Sequence, residues 1–165
     1  MLKLAELNQL DAREFTRVIG PVFEHSPVFA ERTWSQRPFP TREALHKALC
    51  TSVTAASEGE KLALIRAHPD LMGEAMLTNE SKAEQASAGL NDMSPAEVAK
   101  FREYNSRYRE RFGFPFVICA RLNKKQAILD AFPKRLRNSP AEEMETALKE
   151  VFEIAKLRLC DIVSE

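Results

Sequence analysis

An all-α fold, a compact single-domain bundle of about eight helices over residues 1–165, is predicted by three features of this sequence. Apolar residues recur at helical rather than alternating spacing along most of the chain. Only five of the 165 residues are glycine, and Ala, Leu, Glu, Lys and Arg, which lose least on entering a helix, dominate. A chain of this length can also bury a substantial core in one domain without covalent staples.

From the N-terminus, the pattern predicts helices over 11–19, 27–36, 41–56, 58–67, 81–88, 95–112, 124–137 and 141–163. Thr41, three residues before Ala44, opens the third. A helix through Leu62-Ala63-Leu64-Ile65-Arg66 must stop just short of His68, because Pro69 disfavours α geometry in the residue before it. Ser94-Pro95-x-Glu97 reads as a cap with proline at the first helical position, and Gly113 as the stop of that helix. The run Phe114-Pro115-Phe116-Val117-Ile118-Cys119-Ala120 suggests a strand, but no partner strand is evident. An extended buried segment is therefore expected there.

Lys and Arg total 24, as do Asp and Glu. With no net field, neither nucleic acid nor an anionic membrane is an expected partner, and an acidic ligand must be held by local groups. Cys50, Cys119 and Cys160 form neither a disulfide framework nor a paired metal-ligand pattern, which fits a reducing compartment. No long apolar leader or segment of transmembrane length stands out, so a soluble, cytoplasmic protein is expected. There is no Walker loop, dinucleotide Gly-rich turn, His-Glu-x-x-His or Gly-x-Ser-x-Gly. His68, Asp70 and Glu74 could suggest a metal, but His25 and His46 add no regular ligand spacing, and no metal is expected.

Three constellations could carry chemistry. His68, at a stiff corner beside an apolar helix, carries an imidazole, the side-chain group whose ordinary pKa lies nearest neutrality, and suits proton transfer; it also reads as a cation at a helix C-terminus. In Ser81-Lys82-Ala83-Glu84-Gln85-Ala86-Ser87-Ala88, spacings of three and four put Ser81, Glu84, Gln85 and Ala88 on one face. That face could grip a heteroatom-rich ligand with Glu84 as acid or base, although Ser81 and Glu84 also fit a capping box. On the last helix Met144, Ala147, Leu148, Val151, Phe152, Ile154, Ala155, Leu159 and Ile162 form an apolar arc that includes Arg158. The other charges of that helix, Glu143 among them, fall on its polar side or edges. Arg158 needs a ligand anion or an internal acid, unless its stem carries the charge outward. Asn105 lies on the stripe Phe101, Tyr104, Tyr108, Phe112, and is expected to brace a neighbouring loop.

Ala67-His68-Pro69-Asp70-Leu71-Met72-Gly73, Ser81-Lys82-Ala83-Glu84-Gln85, Phe101-x-x-x-Asn105-x-x-Tyr108, Phe112 to Arg121 and Leu157-Arg158-Leu159, in this order, closely resemble the 2-oxo-4-hydroxy-4-carboxy-5-ureidoimidazoline (OHCU) decarboxylase family of urate catabolism. No motif position departs from the pattern. The resemblance implies an all-helical homodimer that needs no metal or organic cofactor and releases (S)-allantoin and carbon dioxide from a small ureidoimidazoline. It implies His68 as catalytic acid/base and Glu84 as its catalytic partner. Pro69, the face made by Ser81, Lys82, Ala83, Glu84 and Gln85, the segment Phe116, Val117, Ile118, Cys119 and Ala120, and Arg158 would line the substrate pocket, partly through backbone groups. The stretch 71–79, between the two catalytic motifs, is where movement over substrate would be sought. The residues alone also allow a hydrolase of a related ureide, since His68 and Glu84 could activate water, or a helical module that binds a small anion without turnover. Cys119 is a poor nucleophile, because its apolar surroundings should raise its thiol pKa.

Overall fold

The computed structural model describes residues 1–72 and 77–165. Gly73 and Glu74, and with them part of the 71–79 stretch, lie outside the described residues. Among the described residues there are nine α-helices: α1 (Leu4–Leu7), α2 (Ala12–Ile19), α3 (Val28–Trp34), α4 (Arg42–Thr54), α5 (Glu58–Arg66), α6 (Asn79–Ser87), α7 (Pro95–Phe112), α8 (Lys125–Arg135) and α9 (Pro140–Ile162). Two-residue strands β1 (Leu2–Lys3) and β2 (Val163–Ser164) pair in parallel, Leu2 with Val163 and Lys3 with Ser164. The fold is all-α as expected, with α1 added at the N-terminus, where four residues are too few to show a period. The chain divides into two compact units, residues 1–67 with 152–165, and residues 68–151.

In the first unit, Asp11 caps α2 by accepting from the Glu14 amide at 2.8 Å, and Thr41 caps α4 through the Ala44 amide as its spacing predicts. Ser57 and Glu60 form a reciprocal capping box on α5. α3 packs against both α2 and α4. Phe15, Ile19, Phe29, Leu45, Leu49 and, from the end of α9, Ala155 are wholly buried. Each large apolar side chain among them contributes about 1.5–3 kcal/mol by leaving water.

In the second unit, the Ser94–Glu97 box and Pro95 start α7, and Gly113 ends it at φ 75°, a left-handed conformation that a side chain would strain. Residues 115–119 then run without regular structure, and 114–120 are all buried, which is the extended segment expected. Phe132 of α8 organises the aromatic core. Its ring stacks on Phe116 at 3.9 Å and on Tyr104 at 5.1 Å, and meets Phe101 edge-on.

Two local expectations are corrected. α6 begins two residues earlier than predicted, with Thr78 as its cap: the Thr78 hydroxyl accepts from the Ser81 amide at 3.1 Å, so Ser81 and Glu84 do not form a capping box. Glu143 is not on the polar side of α9. It is wholly buried, four residues before buried Ala147, and it accepts bonds from the Tyr108 hydroxyl at 2.6 Å, from Arg135 Nε and from Asn138 Nδ2 at 2.9 Å. An acid in the first turn of a helix reads as a surface residue favoured by the helix dipole, and the partner that draws this one inward lies on another helix.

Candidate active site

α5 ends at Arg66, with Ala67 as its C-cap, so His68 stands just past the helix as Pro69 requires. The imidazole is buried and Pro69 half-buried. The residues that follow are tied down from α7. Arg109 Nε donates to both carboxylate oxygens of Asp70 at 2.9 Å, and Asn105 Nδ2 donates to the Leu71 carbonyl at 2.6 Å. Asn105 thus braces a loop, as its place in the stripe predicts. Met72 adopts a left-handed φ of 59°, a conformation costly for a residue with a side chain, and its amide donates to Gln85 Oε1 at 3.4 Å. Gln85, which the capping reading left without a role, therefore reaches the loop that carries His68.

On α6, Ser81, Gln85 and Ala88 are buried and Glu84 half-buried, so the face predicted from spacing is the inward one. Lys82 and Ala83 fall on the exposed side, and the Lys82 amide is spent on the Thr78 carbonyl. α6 packs against the 3₁₀ turn Ala120–Leu122, which closes the Phe116–Ala120 segment. The Lys125 amide donates to the Ala88 carbonyl at 3.0 Å, and Lys124 Nζ to the Ser87 carbonyl at 2.8 Å. Phe116, Val117, Ile118, Cys119 and Ala120 are all buried. Burial pushes the Cys119 thiol up to about 11, and the charges of Glu150 and Glu84 add to the rise. The expected raising of that thiol is found.

Arg158 lies in the first unit. Its Nη2 donates to Glu24 Oε2 at 2.9 Å and its Nη1 to the Pro21 carbonyl at 3.3 Å, with both charged side chains buried. The internal acid is thus present, and it is a residue that sequence reasoning missed. Its signal was an acid set directly after Val22-Phe23 in a stretch with no helical period. No group of three or more His, Cys, Asp or Glu arranged to hold a metal occurs among the described residues.

A helical scaffold that carries a buried imidazole, a carboxylate on an inward helix face and a dry apolar wall within one unit has the make-up of a small-molecule acid–base enzyme. The OHCU decarboxylase family model matches residues 8–160, and the chain belongs to that family. It is 42% identical over 96% of its length to the 2-oxo-4-hydroxy-4-carboxy-5-ureidoimidazoline decarboxylase of Halalkalicoccus jeotgali, covering 90% of that protein. To the protein of the same description from Haloferax volcanii it is 43% identical over 97% of its length, covering 95% of that protein. Among solved structures, that of (S)-allantoin synthase superposes with a TM-score of 0.81 at 26% identity over 99% of this chain. The chain spans about half, 54%, of that solved protein.

Proposed function

We propose that this protein is a carboxy-lyase that converts OHCU to (S)-allantoin and carbon dioxide, the step that completes conversion of urate to allantoin. The observation that carries this is the family match over residues 8–160, supported by relatives of that description matched along nearly their whole length. The same span supports one catalytic domain over 1–165.

The substrate bears its carboxylate and a hydroxyl on one ring carbon, beside a carbon–nitrogen double bond. When the bond to the carboxylate breaks, its electron pair passes into that double bond, so the substrate supplies its own electron sink and no cofactor is called for. The protein must orient the carboxylate for departure, handle the hydroxyl proton and deliver a proton to one face of the enol-like intermediate. His68 and Glu84 perform these transfers. Ser81 and Gln85 hold polar groups of the substrate, with Pro69 beside them. Phe116, Val117, Ile118, Cys119 and Ala120 keep water from the ring so that protonation stays stereospecific. The enzyme works as a cytoplasmic homodimer. Consistent with a soluble protein, no helix among the described residues is long and apolar enough to cross a membrane.

The test follows circular dichroism in the ultraviolet while uricase and hydroxyisourate hydrolase consume urate, with and without this protein. Rapid appearance of one allantoin enantiomer is the expected result. Slow racemic product, unchanged by the protein, would overturn the assignment.

A further inference from the structure

Tyr108, Arg135 and Glu143 are withdrawn from solvent in the second unit, yet none has a part in the proton transfers. The Arg135 guanidinium donates through Nε to Glu143 and through Nη1 to the Val117 carbonyl, and it lies over the Phe116 ring at 4.1 Å. Tyr108 and Asn138 both donate to the Glu143 carboxylate, which holds the acid in one orientation. Stability alone is a weak reason for such a cluster, since well-packed apolar groups of the same volume often serve a core as well as a buried ion pair does. What it does beyond filling space is grip an irregular backbone. Residues 115–119 have neither a helix nor a sheet ladder to fix them, and Arg135 reaches that stretch twice, at a carbonyl and at a ring face. A planar fork serves this better than an ammonium, because it can bond an acid and a carbonyl and stack at the same time.

We propose that Arg135, held by Glu143 and Tyr108, is a positioning residue for the decarboxylation: by fixing the Val117 carbonyl and the Phe116 ring it sets the orientation in which 116–120 meets substrate. This rests on the reading that 116–120 lines the substrate site. His68 and Glu84 lie outside the cluster's bonds, so its loss should disturb substrate alignment and leave proton transfer chemistry intact. A small misplacement of bound substrate can cost on the order of 100-fold in rate.

Arg135→Gln/Glu143→Gln, which keeps polar partners but removes both charges, and Arg135→Lys, which keeps the charge but not the fork, are compared with the wild type below their melting temperatures. Amide hydrogen exchange across 116–120 is read beside kcat and KM for OHCU. Expected in both variants are faster exchange over 116–120 and a kcat/KM lowered about 10- to 100-fold, mostly through kcat, with the shape of the pH profile of kcat unchanged. Unchanged exchange and unchanged kinetics would reduce the cluster to core filling and overturn the proposal. Faster exchange with unchanged kinetics would remove 116–120 from the substrate site and overturn it from the other side. The exchange measurement needs no substrate, so a wild type without decarboxylase activity would be recognised separately as failure of the functional assignment.

Discussion

His68 and Glu84 differ in setting, one buried at the stop of α5 and the other half-buried on α6, and the proposed proton transfers need both. His68→Asn should leave a folded protein whose turnover approaches the spontaneous rate, and Glu84→Gln should cost about 10²- to 10⁴-fold, the usual worth of a placed acid or base. Stereospecific allantoin formation at unchanged far-ultraviolet dichroism reads both, and substantial activity in the His68 variant would remove it from the mechanism. The thiols test the dryness of their surroundings. Cys50 and Cys119 are both pushed up to about 11, first by burial, with Glu153 adding at Cys50 and Glu150 and Glu84 at Cys119. At pH 8 a thiol reagent should therefore label each about 100-fold more slowly than an ordinary cysteine, and labelling should accelerate as pH rises toward 11. Because folding favours the neutral thiols, their contribution to stability is whole below the ordinary thiol pKa and declines as the pH climbs through about 11. Arg158→Met should lower stability by about 3–5 kcal/mol in thermal denaturation, because it removes the cation bonded to a carboxylate that stays buried at Glu24. His68 and Arg158 were legible because each breaks a local pattern. Glu24 and Glu143 were not, since each carboxylate is drawn inward by a cation on another element, Arg158 for one and Arg135 for the other, which the spacing of its own segment does not reveal.

At the level of elements, α6 depends on a hydroxyl that lies outside the predicted helix. Thr78→Ala should cost about 1 kcal/mol by removing the acceptor for the Ser81 amide, whereas Ser81→Ala should leave the cap intact. Urea denaturation separates the two, and equal losses would restore the capping-box reading. Ser-x-x-Glu also fits a capping box in the sequence, so the misreading of the start was a choice between two hydroxyls three residues apart. α7 was legible at both ends because its signals are rigid: proline fixes the first turn, and glycine alone enters the left-handed stop without strain. The 115–119 stretch was legible only as extended and buried. That Arg135 of α8 fixes it follows from tertiary contact, for which the sequence offers no period.

For the molecule as a whole, the balance of 24 basic and 24 acidic residues means that an anionic substrate is not drawn in from a distance. kcat/KM for OHCU should accordingly change by less than about twofold between low salt and about 0.5 M, since screening acts chiefly on long-range attraction. A steep decline in stopped-flow assays would show that a local basic patch steers the substrate after all. Sedimentation velocity at micromolar concentration should find the proposed homodimer. The pairing of residues 2–3 with 163–164 has a further consequence. Arg42 reinforces it, with its guanidinium on the Val163 carbonyl at 2.9 Å and its amide on Glu165 Oε1 at 3.1 Å. Segments some 160 positions apart are thereby neighbours at roughly the spacing of adjacent strands, about 4.8 Å. The two runs are parallel, so no tight turn could join them, and their hydrogen bonds alone close the intervening chain into a single loop. A disulfide placed across this pair would leave the unfolded chain far fewer conformations, an advantage on the order of 4–5 kcal/mol in the chain-entropy view.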